Sequence, residues 1–365
     1  MRKQIKILFF LLCLVYVSNV FAFAMSLSPK NNIISKLILS PLPPSISAGI
    51  AHTCGIRVNG SIVCWGNNSN GQLDGIPGAE EKFISISAGP NHTCGVRIDG
   101  SVACWGSNSY GQIDRTPGIE QKFSSVSTRW TSPCGIRIDG SMACWGRKYY
   151  APPQKFTSLS TGFVHTCGIL VEGNVRCWGD NSQGQLIGIP GAEQKFTALS
   201  AGGVHTCGIR IDNSVVCWGN NWAGQVIGAP DTGQKLISIS SGGQHTCGIR
   251  IDGSVVCWGG KNGQSIGIPD TEQKFISIST GFSHTCGIRI NGSIACWGNN
   301  TYQQLNGIPD AEQKFVSLSA GQYHTCGIRV DGSVACWGSN SEGQLDGAPI
   351  DVFFPKAETN ALFSQ

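Results

Sequence analysis

Charged residues are scarce in this sequence: Asp, Glu, Lys and Arg make up 13% of its 365 residues, against about a quarter in ordinary soluble proteins. The 26 Lys and Arg nearly balance the 22 Asp and Glu, and three of the basic residues stand in an N-terminal leader. A nearly neutral chain is poorly suited to neutralising phosphates, so we expect no nucleic-acid binding. Hydrophobic residues reach 41%, which argues against a disordered chain and predicts a globular one.

The sequence also lacks the short motifs of common enzymes. It contains no His-Glu-x-x-His and no phosphate-binding loop, and its acidic residues mostly belong to the repeat described below. We therefore predict a protein that is not an enzyme and that holds no cofactor or metal. The alternative is a hydrolase with a cluster of carboxylates at a central channel.

Residues 1–24 have the layout of a secretory signal peptide. A basic start (Arg2, Lys3, Lys6) is followed by an apolar run from Ile7 to Val17 and by Ala22-Phe23-Ala24. The alternative is an uncleaved membrane anchor, because the apolar stretch is about 18 residues long. No later segment is as apolar, so we expect a secreted or periplasmic protein that leaves the membrane after cleavage. Cysteines can be oxidised in that compartment.

One pattern of about 40 residues recurs eight times between Ser45 and Pro349, after a linker at 25–44 and before a C-terminal tail at 350–365. Each copy has two cysteines ten residues apart, and Trp-Gly follows the second. The third copy is seven residues shorter than most. The pairs are Cys54 and Cys64, Cys94 and Cys104, Cys134 and Cys144, Cys167 and Cys177, Cys207 and Cys217, Cys247 and Cys257, Cys286 and Cys296, and Cys326 and Cys336.

Each copy predicts short β-strands and no helix. In the second copy the β-branched runs are Phe83–Ser87, His92–Arg97 and Ser101–Trp105, bounded by Gly, Asp and Asn. A unit of this size cannot bury both faces of its sheet, so the copies must stack on one another. We predict an all-β chain that forms a β-propeller with seven or eight blades. Val352–Phe354 in the tail are candidates for a strand that closes the ring.

The hairpin register predicts one disulfide in each copy. If Ile98-Asp99-Gly100 is a three-residue turn with Gly in the left-handed conformation, Arg97 opposes Ser101 and Cys94 opposes Cys104. A two-residue turn would stagger the cysteines. The three-residue turn also places bulky residues on one face of the blade and Gly95 on the other, so neighbouring blades can pack together. The alternative is that the cysteines are buried free thiols.

The repeat resembles the regulator of chromosome condensation repeat family. The resemblance rests on Trp-Gly-x-Asn-x-x-Gly-Gln-Leu at Trp65–Leu73, with near copies at Trp105, Trp178 and Trp337, and on Gly-x-x-His-Thr at Gly162–Thr166 and Gly281–Thr285. It implies a β-propeller, usually of seven blades. The paired cysteines are most similar to secreted members, including propeller-type β-lactamase inhibitor proteins and ectodomains of crinkly-type plant receptor kinases.

Residues that recur in nearly every copy are interpreted as structural. All seven histidines occupy one repeat position, where the third copy has Ser132, and we expect their rings to bond backbone groups within or between blades. The repeated Arg and the turn Asp are interpreted as exposed or blade-bridging groups. The eight Trp-Gly tryptophans are interpreted as core.

Function is expected where the copies differ, above all in the two residues before each histidine. In a closed ring these pairs should encircle one mouth of the channel. They are Ile50-Ala51, Pro90-Asn91, Trp130-Thr131, Phe163-Val164, Gly203-Val204, Gly243-Gln244, Phe282-Ser283 and Gln322-Tyr323. Trp222 and Tyr110, in the long loops between copies, are weaker candidates.

The third copy also carries aromatic and basic residues of the kind found in protein-binding hot spots. The alternative is a decayed repeat whose aromatic side chains fill the gap left by its deletion. The predicted partner-binding residues are Arg129, Trp130, Arg147, Lys148, Tyr149, Tyr150, Phe163, Gln244, Phe282, Gln322 and Tyr323.

These features predict a monomeric, secreted, non-enzymatic scaffold that binds a protein partner through one loop face. The resemblance also implies two alternatives: nucleotide exchange on a small GTPase inside a host cell, and inhibition of a secreted hydrolase. A carbohydrate-binding propeller is a further alternative, and it would need the Trp-Gly tryptophans to be exposed.

Overall fold

The computed structural model describes residues 45–128, 130, 132–146, 151–261 and 263–349. These residues form 24 strands in eight three-stranded antiparallel sheets, and they contain no helix. The chain is therefore all-β, as predicted, with eight blades of consecutive strands.

The strand bounds, blade by blade, are as follows. They are β1 Ser45–Ala48, β2 His52–Ile56, β3 Ile62–Gly66; β4 Phe83–Ala88, β5 His92–Arg97, β6 Val102–Gly106; β7 Phe123–Ser127, β8 Cys134–Arg137, β9 Met142–Cys144; β10 Phe156–Thr161, β11 His165–Leu170, β12 Val175–Gly179; β13 Phe196–Ala201, β14 His205–Arg210, β15 Val215–Gly219; β16 Leu236–Ser241, β17 His245–Arg250, β18 Val255–Gly259; β19 Phe275–Thr280, β20 His284–Arg289, β21 Ile294–Gly298; β22 Phe315–Ala320, β23 His324–Arg329, β24 Val334–Gly338.

The predicted hairpin register is confirmed in every blade. In the second blade Cys94 opposes Cys104, and the amide of Arg97 donates to the carbonyl of Ser101. Gly100 has a φ of 84°, the left-handed conformation that the three-residue turn requires. All eight cysteine pairs form disulfides, with Cα–Cα distances of 4.0 to 4.1 Å. Eight intrachain disulfides fit an oxidising compartment.

Hydrogen bonds between the first strands of neighbouring blades close the ring. At seven of the eight junctions a serine Oγ of one blade accepts from a backbone amide of the next, at 2.8 to 3.0 Å. Between the third and fourth blades the hydroxyls of Ser127 and Thr161 lie 2.7 Å apart. The bond from the Ala48 amide to Ser319 joins the eighth blade to the first. Ile328 and Cys326 of the eighth blade share one core cluster with Trp65 of the first.

The core lies between blades, where a bulky face meets a small one. Ile56 and Ile62 of the first blade pack with Phe83 and Trp105 of the second. The Phe83 ring packs against Gly95, where a Cβ atom would lie only 2.7 Å from the ring. Phe83 and Trp105 meet edge to face at 5.9 Å, and most other blades repeat this pair.

The buried histidines join each blade to the next. Each Nε2 lies 2.7 to 2.9 Å from the hydroxyl of a threonine in the next blade, so the rings bond a side chain rather than the backbone groups we expected. The pairs are His52 and Thr93, His165 and Thr206, His205 and Thr246, His245 and Thr285, His284 and Thr325, and His324 and Thr53. His92 is the exception: neither ring nitrogen has a hydrogen-bond partner among the described residues, and the third copy has Pro133 where the other copies have threonine.

The repeated arginines hold their own blade instead of bridging two, which corrects one part of our interpretation. Arg97 pairs with Glu81, which leads into the same blade, and lies over the Phe83 ring at 5.6 Å. The turn aspartates do bridge blades in three places, as in the 2.9 Å ion pair of Asp99 with Lys122 of the next blade.

Candidate functional site

The propeller has two faces of different construction. We call one the loop face: it carries the short loops between the first and second strands, such as 89–91, and the start of each long loop after the third strand. The Ser107 amide donates to the Asn91 carbonyl and thereby holds these two segments together. We call the opposite face the turn face: it carries the hairpin turns and the ends of the long loops. There the Ile98 amide of the hairpin turn donates to the carbonyl of Lys82, at the end of the long loop that leads into the same blade.

Glycines form the inner wall of the channel at the loop face. A Cβ on Gly49 would collide with the carbonyl oxygen of Gly89 in the next blade and would lie 2.7 Å from the His52 ring. The same geometry recurs at Gly242 and Gly281. Because the backbones of neighbouring blades come this close, the short loops are fixed in position, and the residue after each glycine projects at the mouth.

The mouth is a cavity of about 220 Å³ to which every blade contributes. The first residue of each variable pair lines it in all blades except the fifth, as the circle predicted from the sequence requires. These lining residues are Ile50, Pro90, Trp130, Phe163, Gly243, Phe282 and Gln322. The lining residues that the structure describes are apolar or neutral polar.

Four aromatic side chains form a continuous row from the mouth toward the rim, which we call the aromatic row. Phe163 and Phe282 stack in parallel at 5.7 Å, although they belong to the fourth and seventh blades. The intervening blades have Gly203 and Gly243 at this position, and a Cβ on Gly243 would lie 2.8 Å from the Phe282 ring. Phe282 contacts Tyr323 edge to face at 6.3 Å, and Tyr323 lies 4.8 Å from Tyr302.

The structure brings some predicted site residues together and separates others. Trp130, Phe163, Phe282 and Gln322 line the mouth, and Tyr323 joins the aromatic row. Gln244 does not line the cavity; its Oε1 is buried without a hydrogen-bond partner. Arg129, Arg147, Lys148, Tyr149 and Tyr150 lie outside the described residues, as do the leader, the linker and the tail.

Two further contacts were not singled out by the sequence. Tyr302 extends the aromatic row, and its only sequence signal is a position equivalent to that of Tyr110 in another long loop. The ammonium group of Lys261 lies 4.5 Å from the ring centroid of Trp222, a cation–π contact between the loops of the fifth and sixth blades.

The Trp-Gly tryptophans are core residues, with exposed fractions of 1 to 8%. The carbohydrate-binding alternative, which required them on the surface as repeated platforms, is therefore wrong in that form. Among the described residues no His, Cys, Asp or Glu side chains are grouped as three or more potential metal ligands. The described part of the chain contains no helix long and apolar enough to cross a membrane.

The buried histidines have strongly lowered pKa values because burial disfavours their charged form. The pKa of His52 and that of His245 fall to about 4, and those of His205, His284 and His324 fall to about 3. These five rings are neutral at physiological pH and make structural hydrogen bonds.

A profile of the regulator of chromosome condensation (RCC1) repeat matches residues 45–72, 83–112, 156–185, 196–225, 236–264, 275–304 and 315–344. The chain belongs to this repeat family. The seven matched RCC1 repeats are all of the blades except the third, which lacks the His-Thr pair and is shortened. The resemblance stated from the sequence is thus confirmed, and the ring has one blade more than the profile matches.

Solved structures share the fold. The CRINKLY WD40 ectodomain of the receptor kinase ACR4 from Arabidopsis thaliana is 26% identical, with a TM-score of 0.58 over 84% of this chain and 97% of that one. The ectodomain of the receptor kinase CR4 from Physcomitrella patens is 24% identical over 70% and 73%, also with a TM-score of 0.58. Prp20p from Saccharomyces cerevisiae is 17% identical over 84% and 94%, with a TM-score of 0.57. No curated protein sequence matches.

Proposed function

We propose that this RCC1-repeat propeller is a secreted, monomeric, non-enzymatic scaffold that binds a protein partner through the mouth of its loop face. The observation that carries the proposal is the aromatic row. Phe163 is 40% exposed, Tyr302 is 57% exposed, and Trp130 of the third blade, which lines the same mouth, is 42% exposed. Clustered aromatic side chains around a fixed pocket are the usual anchors of protein interfaces.

Two other observations support this proposal. The positions that recur in every blade are occupied by ring-building contacts, whereas the mouth is lined by residues that differ from blade to blade. The disulfides and the likeness to the ACR4 ectodomain favour an extracellular or periplasmic location. The likeness to Prp20p, at 17% identity, extends to the fold alone, so nucleotide exchange is not part of the proposal.

The test is capture of binding proteins from the extracellular or periplasmic fluid of the source cell with the tagged full-length protein. A double variant, Phe163→Ala with Phe282→Ala, removes the stacked pair. The matched control, Ile211→Ala with Ile251→Ala, removes two exposed apolar side chains from the turn face, 69% and 59% exposed. We expect a protein retained by the wild type and the control to be depleted tenfold or more by the mouth variant.

Equal capture by the wild type and the mouth variant would contradict binding at the mouth. Loss of capture by the turn-face control alone would assign binding to the opposite face. Melting temperatures of all three proteins should agree, because each substituted side chain is partly or largely exposed.

A further inference from the structure

One position of the long loops divides the blades into two groups. In the first, second and eighth blades it is an aspartate whose carboxylate accepts from an asparagine of the same loop at 2.9 to 3.0 Å. In the seventh blade Asn306 accepts in the same way from Asn300 at 3.2 Å. In the fourth, fifth and sixth blades the position holds an isoleucine: Ile187, Ile227 or Ile266, with exposed fractions of 65, 82 and 69%.

The fold does not require these isoleucines. The Ile187 carbonyl accepts from the Gly219 amide at 2.9 Å, as the Asp74 carbonyl accepts from the Gly106 amide at 2.8 Å. The loop is closed by an asparagine in both groups, Asn181 and Asn68, each accepting from a leucine amide. The Ile266 carbonyl accepts from the Gly298 amide in the same way, whereas the Ile227 amide donates to Asn221 Oδ1. These bonds involve the backbone of the isoleucines, so their side chains add exposed apolar surface that the loop bonds do not require.

These isoleucines belong to the long loops of three adjacent blades. The Ile187 carbonyl bonds the Gly219 amide at the start of the fifth long loop, and that loop carries both Ile227 and Trp222, which is 62% exposed. We call Ile187, Trp222, Ile227 and Ile266 the apolar arc. Lys261 lies against it, with its ammonium group over the Trp222 ring. The arc occupies the rim of the sector whose inner loops have Gly203 and Gly243 and over which Phe163 and Phe282 stack. Exposed apolar side chains concentrated on one sector of a protein mark candidate interaction sites.

The charge next to the apolar arc indicates which partner segment would bind there. The aspartates of the other blades are replaced by isoleucine here, while Lys261 adds a cation. We propose that the apolar arc docks a segment of the partner protein that presents aliphatic or aromatic side chains next to a carboxylate, which pairs with Lys261. This inference rests on the proposed function and extends the partner's footprint from the mouth to the rim of the fourth to sixth blades.

The test uses the full-length protein and a display library of random 12-residue peptides as the probe. We expect selected peptides to combine apolar residues with Asp or Glu. Ile227→Asp should weaken their binding tenfold or more, and Lys261→Glu should reverse the charge preference toward Lys and Arg. Ile227→Asp introduces the residue that the corresponding loops carry in three other blades, so the variant should fold.

The matched control is Ile119→Asp, because Ile119 is an isoleucine 75% exposed at the end of a long loop on the turn face. It should leave peptide binding unchanged. Failure to select any peptide whose binding depends on Ile227 would overturn the proposal. Self-association that disappears in Ile227→Asp would overturn it in favour of a second copy of this chain, and Ile227-dependent binding to phosphatidylcholine vesicles would do so in favour of a membrane.

The same variants separate the two proposals. If Phe163→Ala with Phe282→Ala abolishes capture of the natural partner while Ile227→Asp and Lys261→Glu bind it as the wild type does, the mouth stands and the arc is refuted. If the arc variants lose the natural partner and the mouth variant keeps it, docking at the apolar arc is supported and binding at the mouth is refuted.

Discussion

Lowering the pH from 7 to 5.5 should destabilise the ring through its buried histidines. An unfolded histidine has a pKa of about 6.5, whereas the pKa of His52 in the folded ring is about 4. Below pH 6.5 the unfolded chain therefore binds a proton that the folded ring does not, and the free energy of unfolding falls until the pH approaches 4. For His52 this linkage costs about 1.2 kcal/mol between pH 7 and pH 5.5.

The assay is guanidinium denaturation of the wild type and His52→Gln at pH 7, 6 and 5.5. The variant is expected to lose about 1.2 kcal/mol less than the wild type over this range, whatever its stability at pH 7. Asp252→Asn is the control: hydrogen bonds from Ser254 lower the pKa of Asp252, so its contribution is present above an unfolded pKa of about 3.9 and is lost only at lower pH. Parallel curves for the wild type and His52→Gln would refute a neutral buried ring.

Three further predictions concern the ring. Replacing Cys94 and Cys104 by serine should lower the free energy of unfolding by about 2.7 kcal/mol, the entropy of closing a ten-residue loop, and denaturation with and without reductant checks this. Thr246→Val leaves the His205 ring buried without its 2.7 Å partner and should cost about 1 to 3 kcal/mol, whereas the exposed Thr197→Val should cost under about 0.5 kcal/mol by the same measurement. Gly242→Ala places a Cβ 2.6 Å from the His245 ring and should cost about 1 to 3 kcal/mol, while Gly78→Ala, with no atom within 4 Å, should leave the melting temperature unchanged or slightly raised.

Periodicity made most of the fold predictable. A cysteine spacing that never varies can be explained by one hairpin register, and that register determined which cysteines pair and which face of the blade is small. The hydrogen-bond partner of the histidines is also visible in the sequence, since a threonine follows every histidine and both are missing from the third copy. The pairing is not predictable from a single copy, because each bond joins a histidine of one blade to a threonine of the next.

The aromatic row could not be predicted in the same way. Phe163 and Phe282 are 119 positions apart in the sequence, and their stacking depends on the absence of side chains at Gly203 and Gly243 between them. The isoleucines of the apolar arc are visible in the sequence as replacements of aspartate. Their exposure depends on how each long loop folds over the next blade, which a comparison of copies does not give.

The distribution of variable residues around the ring makes the loop face asymmetric. Backbone contacts between neighbouring glycines and histidine–threonine bonds occupy the repeated positions, so substitution there removes contacts between blades. In the part of the chain that the structure describes, His92 has no hydrogen-bond partner because the third blade lacks the threonine. The residues differ between blades at the position after each glycine and at the long-loop position of Asp74 and Ile187. At the long-loop position the fourth, fifth and sixth blades carry isoleucine, whereas the first, second and eighth blades keep Asp74, Asp114 and Asp346. At the position after the glycine, the fourth and seventh blades carry the stacked phenylalanines. A partner that contacted all eight blades equally would give no reason for the blades to differ in this way. The asymmetry therefore favours an off-centre footprint, from the mouth outward over one side of the propeller.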